Sequence, residues 1–367
     1  MNKGGMPKMG KIWLVLFYAL TQSVVAHGGA NNPPPISRPR PAAPEAGTDP
    51  YLSKQWHLDR IGAKEVWKIS MGDPSTTIAI VDSGVNYNNP DIAPNLHFNP
   101  NEIADNKFDD DHNGFVDDIL GWDFVRNSGL PFDRSGHGTF MAGIIAAVAD
   151  NGVGGAGVCP KCSIIPVRFL NYDGLGDTED GIKGIYYAIK ANARIINMSF
   201  AGEGKDDDLE KAIQVAGEHD ILMVVSAGND HENIDFAATY PARYDLPNMI
   251  TVAASSKESD LNYRSNWGQR HVHLAAPGDD IWSAWFDKWD YGDGTSDAAA
   301  VVSGAAGLVR SIAPSLTAPQ VKAILMATVR PSAALARKTI SGGVLDVEAA
   351  VNCARQRALP CLRKGGK

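Results

Sequence analysis

The sequence predicts an α/β protein: a doubly wound, mostly parallel sheet with helices on both faces. Three observations carry that reading. Six short runs, at 77–81, 164–167, 194–198, 221–226, 249–253 and 272–275, are mostly apolar at both parities rather than alternating, as strands buried on both faces tend to be. Stretches at 138–149, 178–191, 207–219, 298–312 and 319–328 carry helical patterning. The two kinds of segment follow one another in β-α-β rhythm. A length of 367 residues allows two domains at ~150 residues each. The texture is uniform from Asp49 to about Asn352, however, so one large domain over 49–352 is expected. Apolar residues make up 44% and charged residues 21%, which suits a globular chain with a large core and excludes collagen, coiled coil and wholesale disorder. Net charge is −8 with no basic block in the main body, which argues against a grip on nucleic acid.

The ends read differently from the body. Lys3, Lys8 and Lys11 precede an apolar run at 12–20, and Val24, Val25 and Ala26 offer small residues for cleavage. That order is a secretory signal over 1–26; the run is too short for the ~20 apolar residues that span a bilayer. The chain is therefore expected to be secreted or periplasmic, without membrane contact after signal cleavage. Residues 27–48 carry Pro33, Pro34, Pro35, Pro39, Pro41 and Pro44 and read as an extended linker. A basic tail occupies 353–367. In an oxidising compartment the four cysteines pair most simply as Cys159–Cys162 and Cys353–Cys361, one of three possible connectivities. The Cys-x-x-Cys could also be a redox motif or half a zinc site, but no second pair or nearby His supports either.

In a doubly wound fold, ligands gather beyond the carboxyl ends of the strands. There the first strand runs into Asp82, Ser83 and Gly84, and Ser135-Gly136-His137-Gly138-Thr139 opens an apolar helix. Asn229 ends a later strand, and Gly294-Thr295-Ser296 opens a helix of small residues. Singly, these are turn formers and caps. Together they form a chemical set. A serine hydroxyl is a weak nucleophile until an imidazole accepts its proton, and the imidazole needs a carboxylate to fix its tautomer. Asn229 and the backbone N–H of Ser296 can serve a developing oxyanion. No Gly-x-Gly-x-x-Gly, Gly-Lys-Ser/Thr or Gly-x-Ser-x-Gly pattern supports a nucleotide-binding or α/β-hydrolase reading.

At these residues the sequence resembles the subtilisin-like serine proteases (subtilases, peptidase family S8). The resemblance covers about 49–352. IAIVDSGV matches the family's Asp motif, SGHGTFMAG its His motif, SAGN its oxyanion Asn and GTSDAAAVVSG its Ser motif, with INMSFAG, YPAR and LAAPG between. It implies endopeptidase action through an acyl-enzyme on Ser296, with His137 as base then acid, Asp82 as its orienter and Asn229 as oxyanion donor. Polypeptide substrates would bind as an added strand, along Gly174 to Gly176 and along Ser199, Phe200, Ala201 and Gly202. A monomer with no nucleic-acid partner and no catalytic cofactor is expected.

Structural calcium is the second expectation. In NKFDDDHNGFVDD, Asp109, Asp111 and Asn113 follow D-x-D-x-N-G, alternating oxygen side chains around a turn glycine that suit a hard cation. Leu120 stands at the twelfth position, so Asp117 or Asp118 must close the site. The resemblance adds a second set, with Asp49, Asp91 and Asn151 matching side-chain ligands and carbonyls in 149–155 completing the loop. His271 and His273 flank a valine on an expected strand and read as surface residues rather than ligands.

The departures from the family pattern are specific. Asp297, Ala300 and Val301 replace the usual Met-Ala-x-Pro-His continuation after the serine, and Phe140 replaces the second His of the His motif. A carboxylate in a helix's first turn favours the helix, but beside an oxyanion it opposes catalysis, and near His137 it raises the imidazole pKa. With Ala201 in place of the usual Gly, Asp297 supports an alternative: a catalytically silent subtilase scaffold with a binding or structural role. Secreted subtilases commonly carry a folding prodomain, for which 27–48 is too short and too Pro-rich. The chain is thus expected to fold unaided on calcium and its disulfides, or with outside help.

Overall fold

The computed structural model describes residues 12–14 (backbone only), 33–35 and 47–356. The expected signal's lysines and cleavage residues, most of the linker, and the tail with Cys361 lie outside the described residues. The elements, in chain order, begin with β1 (Ile12–Leu14), the short helices α1 (Trp56–Arg60) and α2 (Ala63–Trp67), β2 (Thr77–Asp82) and β3 (Trp122–Asp123). There follow α3 (His137–Ala146), β4 (Ser163–Arg168), β5 (Leu175–Asp177), α4 (Thr178–Lys190), β6 (Ile195–Met198), α5 (Asp207–Glu218), β7 (Leu222–Ser226) and β8 (Met249–Ser255). The last part holds β9 (Leu274–Pro277), β10 (Ile281–Trp285), β11 (Lys288–Gly292), α6 (Thr295–Ile312), α7 (Ala318–Ala327), β12 (Arg330–Pro331), β13 (Gly343–Val344) and α8 (Val347–Arg355).

Nine strands form one sheet in the order β12-β13-β9-β8-β7-β6-β2-β4-β3. All its pairings are parallel except β12 with β13. The mostly apolar runs have a direct cause: consecutive residues face two different cores. Ile78, Ile80, Leu222, Val224, Ile250 and Val252 enter one core with α3, α6, α7 and α8. Ala79, Val81, Met223, Val225 and Ala253 enter the other, with α4 and α5. Each strand therefore needs apolar side chains at both parities.

β2 lies between β4 and β6, and from β6 onward the parallel order builds away from β4. This reversal is the switch point at which such sheets open a crevice beyond their carboxyl ends. Asp82 terminates β2 there. α6 runs buried from Thr295 to Arg310, and its small residues allow that depth: a Cβ at Gly304 would lie 2.6 Å from Val158 Cβ. α6 begins three residues earlier than its apolar pattern suggests, because Gly294 can take the φ of 151° needed at its cap.

Sequence patterning did not disclose the β10–β11 hairpin, whose outer strand is largely exposed, nor the short α1 and α2. The last helix continues past Asn352 to Arg355 and carries Cys353 in its buried face. Cys159 and Cys162 are joined as expected, and Cys353 is also disulfide-bonded. Backbone β1 pairs antiparallel with β5, Trp13 opposite Gly176. No helix among the described residues is long and apolar enough to cross a membrane.

At the carboxyl end of β4, Arg168 Nη1 bonds Asp123 Oδ2 at 2.8 Å, with both side chains buried. Removing one member strands the other charge. Arg168→Met should therefore cost about 3–5 kcal/mol of unfolding free energy, read as a lowered midpoint in urea.

Candidate active site

The site is assembled from the carboxyl ends of β2, β6 and β7 and the amino ends of α3 and α6. His137 opens α3 because the backbone before and after it is glycine. Gly136 has φ +92°, and a Cβ on Gly138 would meet the Gly84 carbonyl at 2.0 Å, so the helix start sits directly on the end of β2. Asp133 clamps this turn. Its carboxylate accepts the backbone N–H of Ser135, Gly136 and Thr139 and the hydroxyls of Ser83 and Thr139, all at 2.6–2.9 Å. The Ser83 hydroxyl in turn accepts the Gly138 N–H at 2.9 Å. Sequence reasoning passed over Asp133; its signal was a carboxylate four residues before a helix-opening His, in N-capping range of the turn.

His137 Nδ1 lies 2.8 and 2.9 Å from the two oxygens of Asp82, and both side chains are buried. A carboxylate only accepts, so Nδ1 carries a proton, and in the neutral imidazole Nε2 keeps its lone pair. Burial alone would push the imidazole pKa down. The Asp82 charge and hydrogen bond, with Asp297 and Asp133, outweigh it and hold His137 above its ordinary value.

Ser296 stands in the first turn of α6, not at its cap, and is 7% exposed. Its hydroxyl donates to the Ser199 carbonyl at 3.1 Å. Ser199 answers through its own hydroxyl, which donates to the Ser296 carbonyl at 3.0 Å and accepts from Asn197 Nδ2 at 2.9 Å. Asn197 Oδ1 accepts the Ser303 hydroxyl two turns along the helix. This buried chain fixes α6 on β6. Asn229 Oδ1 accepts both the N–H and the hydroxyl of Thr295, at 2.9 and 3.0 Å. The amide oxygen is thereby consumed, and orientation of Nδ2 as the available donor follows. The arrangement can activate a hydroxyl and stabilise an anion beside it, the requirements of acyl transfer.

The residues assigned to substrate lie at strand ends. Gly174 precedes β5 with φ +73°, and Gly176 leaves room for the rings of Phe169 and the side chain of Leu170. Ser199, Phe200, Ala201 and Gly202 follow β6. Gly202 and Tyr240 exchange both backbone hydrogen bonds at 2.9 Å, and Phe200 packs edge-on to Phe169 at 4.8 Å.

The expected metal residues form two groups. Asn151 joins the first by donating its N–H to Asp49 and its amide to Asp91, both at 2.9 Å. Asp49 and Asp91 are buried. Burial raises both pKa values, that of Asp91 to about 7; the Asp49 charge adds to the rise at Asp91, and the Asp150 charge to the rise at Asp49. Two buried, repelling carboxylates with an amide oxygen nearby fit a hard cation. In the second group, carboxylate oxygens of Glu102, Asp109 and Asp111 lie within 4.8 Å of one another. Asn113 bridges Asp111 and Asp118 through its amide at 3.1 and 3.0 Å. Burial raises the Asp118 pKa to about 6. Asp117 instead accepts the N–H groups of Asn106 and Lys107. Glu102 was missed because it lies seven residues before the motif and is returned to it by an irregular turn.

One expectation needs correction. His273 is buried rather than on the surface: its Nδ1 accepts the Thr251 N–H at 2.9 Å, and burial lowers its pKa to about 3. His271 is engaged by Asp235 at 2.8 Å. Asp297 is a first-turn acid of α6, as read, and is fully buried with both carboxyl oxygens unpartnered.

An Asp–His pair, a helix-start serine and an oriented amide at the strand ends of a doubly wound sheet are the groups that serine-hydrolase chemistry calls for. Comparison with known proteins makes the class specific. The subtilase family profile matches residues 73–344, and the chain belongs to that family of serine proteases. It is 34% identical over 330 residues to subtilisin-like protease 1 of Plasmodium falciparum, covering 83% of this chain and 48% of that one. It is 36% identical over 265 residues to thermitase of Thermoactinomyces vulgaris, covering 72% and 85%. A solved structure of a protease from Pseudoalteromonas arctica superposes with TM-score 0.68 at 25% identity, over 85% of this chain and all of the other. The chain spans about half the length of the Plasmodium relatives it matches.

The Asp133 clamp generates a stability test. Asp133→Ala leaves several buried donors unpaired at about 1–3 kcal/mol each. It should lower the thermal midpoint markedly more than Asp133→Asn, which retains an acceptor oxygen; calorimetry of the two variants decides.

Proposed function

We propose that the protein is a secreted or periplasmic endopeptidase that cleaves polypeptides through an acyl-enzyme on Ser296. The observation that carries the reading is the buried Asp82–His137 hydrogen bond, set beside a helix-start serine and an amide with one free side. In the first step the Ser296 hydroxyl turns from the Ser199 carbonyl and attacks the scissile carbonyl. His137 Nε2 takes its proton, and Asp82 stabilises the resulting imidazolium. The oxyanion is received by Asn229 Nδ2 and the Ser296 N–H at the positive end of α6. As the C–N bond breaks, His137 returns the proton to the leaving amine. Water then repeats the sequence on the ester and releases the acid.

Substrate is read as an added strand between the β5 edge and the segment Ser199 to Gly202. The β5 edge is supported by its own pairing: Leu175–Asp177 accepts the backbone of Ile12–Leu14 as an antiparallel strand. Calcium would be held by Asp49, Asp91 and Asn151, and by Glu102, Asp109, Asp111, Asn113 and Asp118. Its contribution is charge neutralisation that stiffens the loops, with no part in the bond-breaking steps.

The mature protein should label with a fluorophosphonate, and Ser296→Ala should abolish labelling. No labelling of the intact protein would favour the silent-scaffold alternative, which the buried Asp297 beside the serine motivates. Asn229→Leu should lower kcat by roughly 100- to 1,000-fold with little change in KM, as loss of one oxyanion donor does. Excess chelator should lower the melting temperature; an unchanged curve, with no metal by elemental analysis, rejects calcium.

A further inference from the structure

Asn229 is carried on a loop after β7, and loops are ordinarily the more mobile parts of a fold. An oxyanion donor, by contrast, stabilises charge only if its direction is fixed before the charge develops. Thr295 supplies part of that fixing. Asn229 Oδ1 accepts its N–H and hydroxyl, and the hydroxyl oxygen accepts the Gly228 N–H at 3.1 Å. These contacts set the side chain against α6. They leave the carbonyls of Ala227 and Gly228, and the N–H groups of Asp230 and Glu232, to be satisfied from elsewhere.

Asn266, from a turn that follows β8, supplies all four partners. Its side chain is fully buried. Oδ1 accepts the Asp230 N–H at 3.0 Å and the Glu232 N–H at 2.8 Å. Nδ2 donates to the Ala227 carbonyl at 3.1 Å and reaches the Asp230 carboxylate at 3.5 Å. The Asn266 backbone N–H donates to the Gly228 carbonyl at 2.9 Å. A carboxamide has two donors and an oxygen that accepts twice, so every position is used and one orientation of the amide satisfies them all. The bonds fall on both sides of Asn229, on 227 and 228 before it and on 230 and 232 after it. The close approach is built into the backbone: Gly228 has φ +100°, and a Cβ there would meet Asn266 Nδ2 at 2.4 Å. Asn266 is itself seated on the sheet. The Ser265 hydroxyl accepts the Ala254 N–H from β8 at 2.9 Å and donates to the Asn266 carbonyl at 2.8 Å.

We propose that Asn266 is a positioning residue of the oxyanion site: by clasping the loop on either side of Asn229 it fixes where Nδ2 points, and it reaches the reaction only through Asn229. This rests on the reading of Asn229 as the oxyanion donor. Two anchors then define the donor, α6 through Thr295 and β8 through Asn266, and α6 is also the element that carries Ser296. Removing the Asn266 side chain releases three backbone groups of the loop, the Ala227 carbonyl and the N–H groups of Asp230 and Glu232. The loop then moves to satisfy them with water, and the direction of Nδ2 is lost with it. A donor needed in the transition state and misplaced by about 1 Å costs rate rather than substrate affinity. The loss therefore falls on kcat, and only where Asn229 is present to be misplaced. A residue needed for folding alone would lower the melting temperature or the yield of active protein, with an effect on kcat independent of the residue at 229.

The test is a double-mutant cycle on the hydrolysis of fluorescein-labelled casein, with kcat and KM measured for the intact protein, Asn266→Ala, Asn229→Leu and the double variant. Active protein is counted by exhaustive fluorophosphonate labelling. The expected result is a kcat lowered roughly 10- to 100-fold in Asn266→Ala with KM little changed, and no further loss when the same substitution is made in Asn229→Leu. An equal fold-loss in both backgrounds, a loss confined to KM, or full kcat in folded Asn266→Ala overturns the proposal and leaves the role of Asn229 standing. An unchanged kcat in Asn229→Leu rejects the oxyanion reading itself, and no hydrolysis by the intact protein rejects the protease reading; either result takes the proposal with it. Asn266→Asp keeps the side-chain size and both accepted N–H bonds but turns an oxygen toward the Ala227 carbonyl. Where Asn266→Ala does not fold, Asn266→Asp takes its place in the cycle, and the same outcomes support or overturn the proposal.

Discussion

The hydrogen bond between His137 and Asp82 is made between two buried groups at the point where the sheet reverses direction, and the local architecture serves to hold it. Neither partner would carry a charge there alone. A buried imidazole loses its proton, and a buried carboxylate without donors is strongly disfavoured. The pair is possible because β2 delivers Asp82 to the switch point and α3 starts on top of it. The glycines around His137 permit that approach, and Asp133 with Ser83 fixes it. The chemistry is therefore a property of how two backbone ends meet, as well as of two side chains.

The same principle organises the proposed nucleophile. Ser296 is held through carbonyls and amides that belong to neighbouring strands: Ser199 on one side and Asn229 with Thr295 on the other. Its helix can pack closely on both the sheet and α3 because its residues are small. Asn197 and Ser303 show the complementary rule for polar groups in a core. They are tolerated because each is satisfied, and their satisfaction fixes the register of α6 on β6. Asp297 breaks that rule within one residue of the nucleophile, and a local conflict of this kind is where function is expected to reside.

Much of this was legible in the sequence, for reasons that differ by element. The six strands declared themselves because burial on both faces leaves few polar positions to confuse the pattern. The four motif residues were readable because strand ends and helix starts are where the fold gathers chemistry, so Asp82, His137, Asn229 and Ser296 could be placed before their distances were known. What escaped depends on contacts between distant segments. β10 and β11 form a half-exposed hairpin without a strong period, and Glu102 reaches the acidic loop only through an irregular turn. The burial of His273 and Asp297 is set by what packs over them from elsewhere, which local pattern does not encode. Asp133 was passed over, yet the turn it clamps holds His137 in place.

α6 is secured at both ends. At its far end the buried Arg310 donates to the carboxylate and carbonyl of Asp220, at 3.2 and 2.8 Å, and Asp220 also accepts the first N–H of α7. Fourteen residues separate Ser296 from Arg310, about 21 Å of helix at ~1.5 Å per residue. A rod fixed at two points has little freedom to slide or turn, so the aim of the Ser296 hydroxyl is partly determined at an aspartate at the opposite end of its helix. Asp220 lies outside every motif around the site, yet it serves as the rear mount of Ser296.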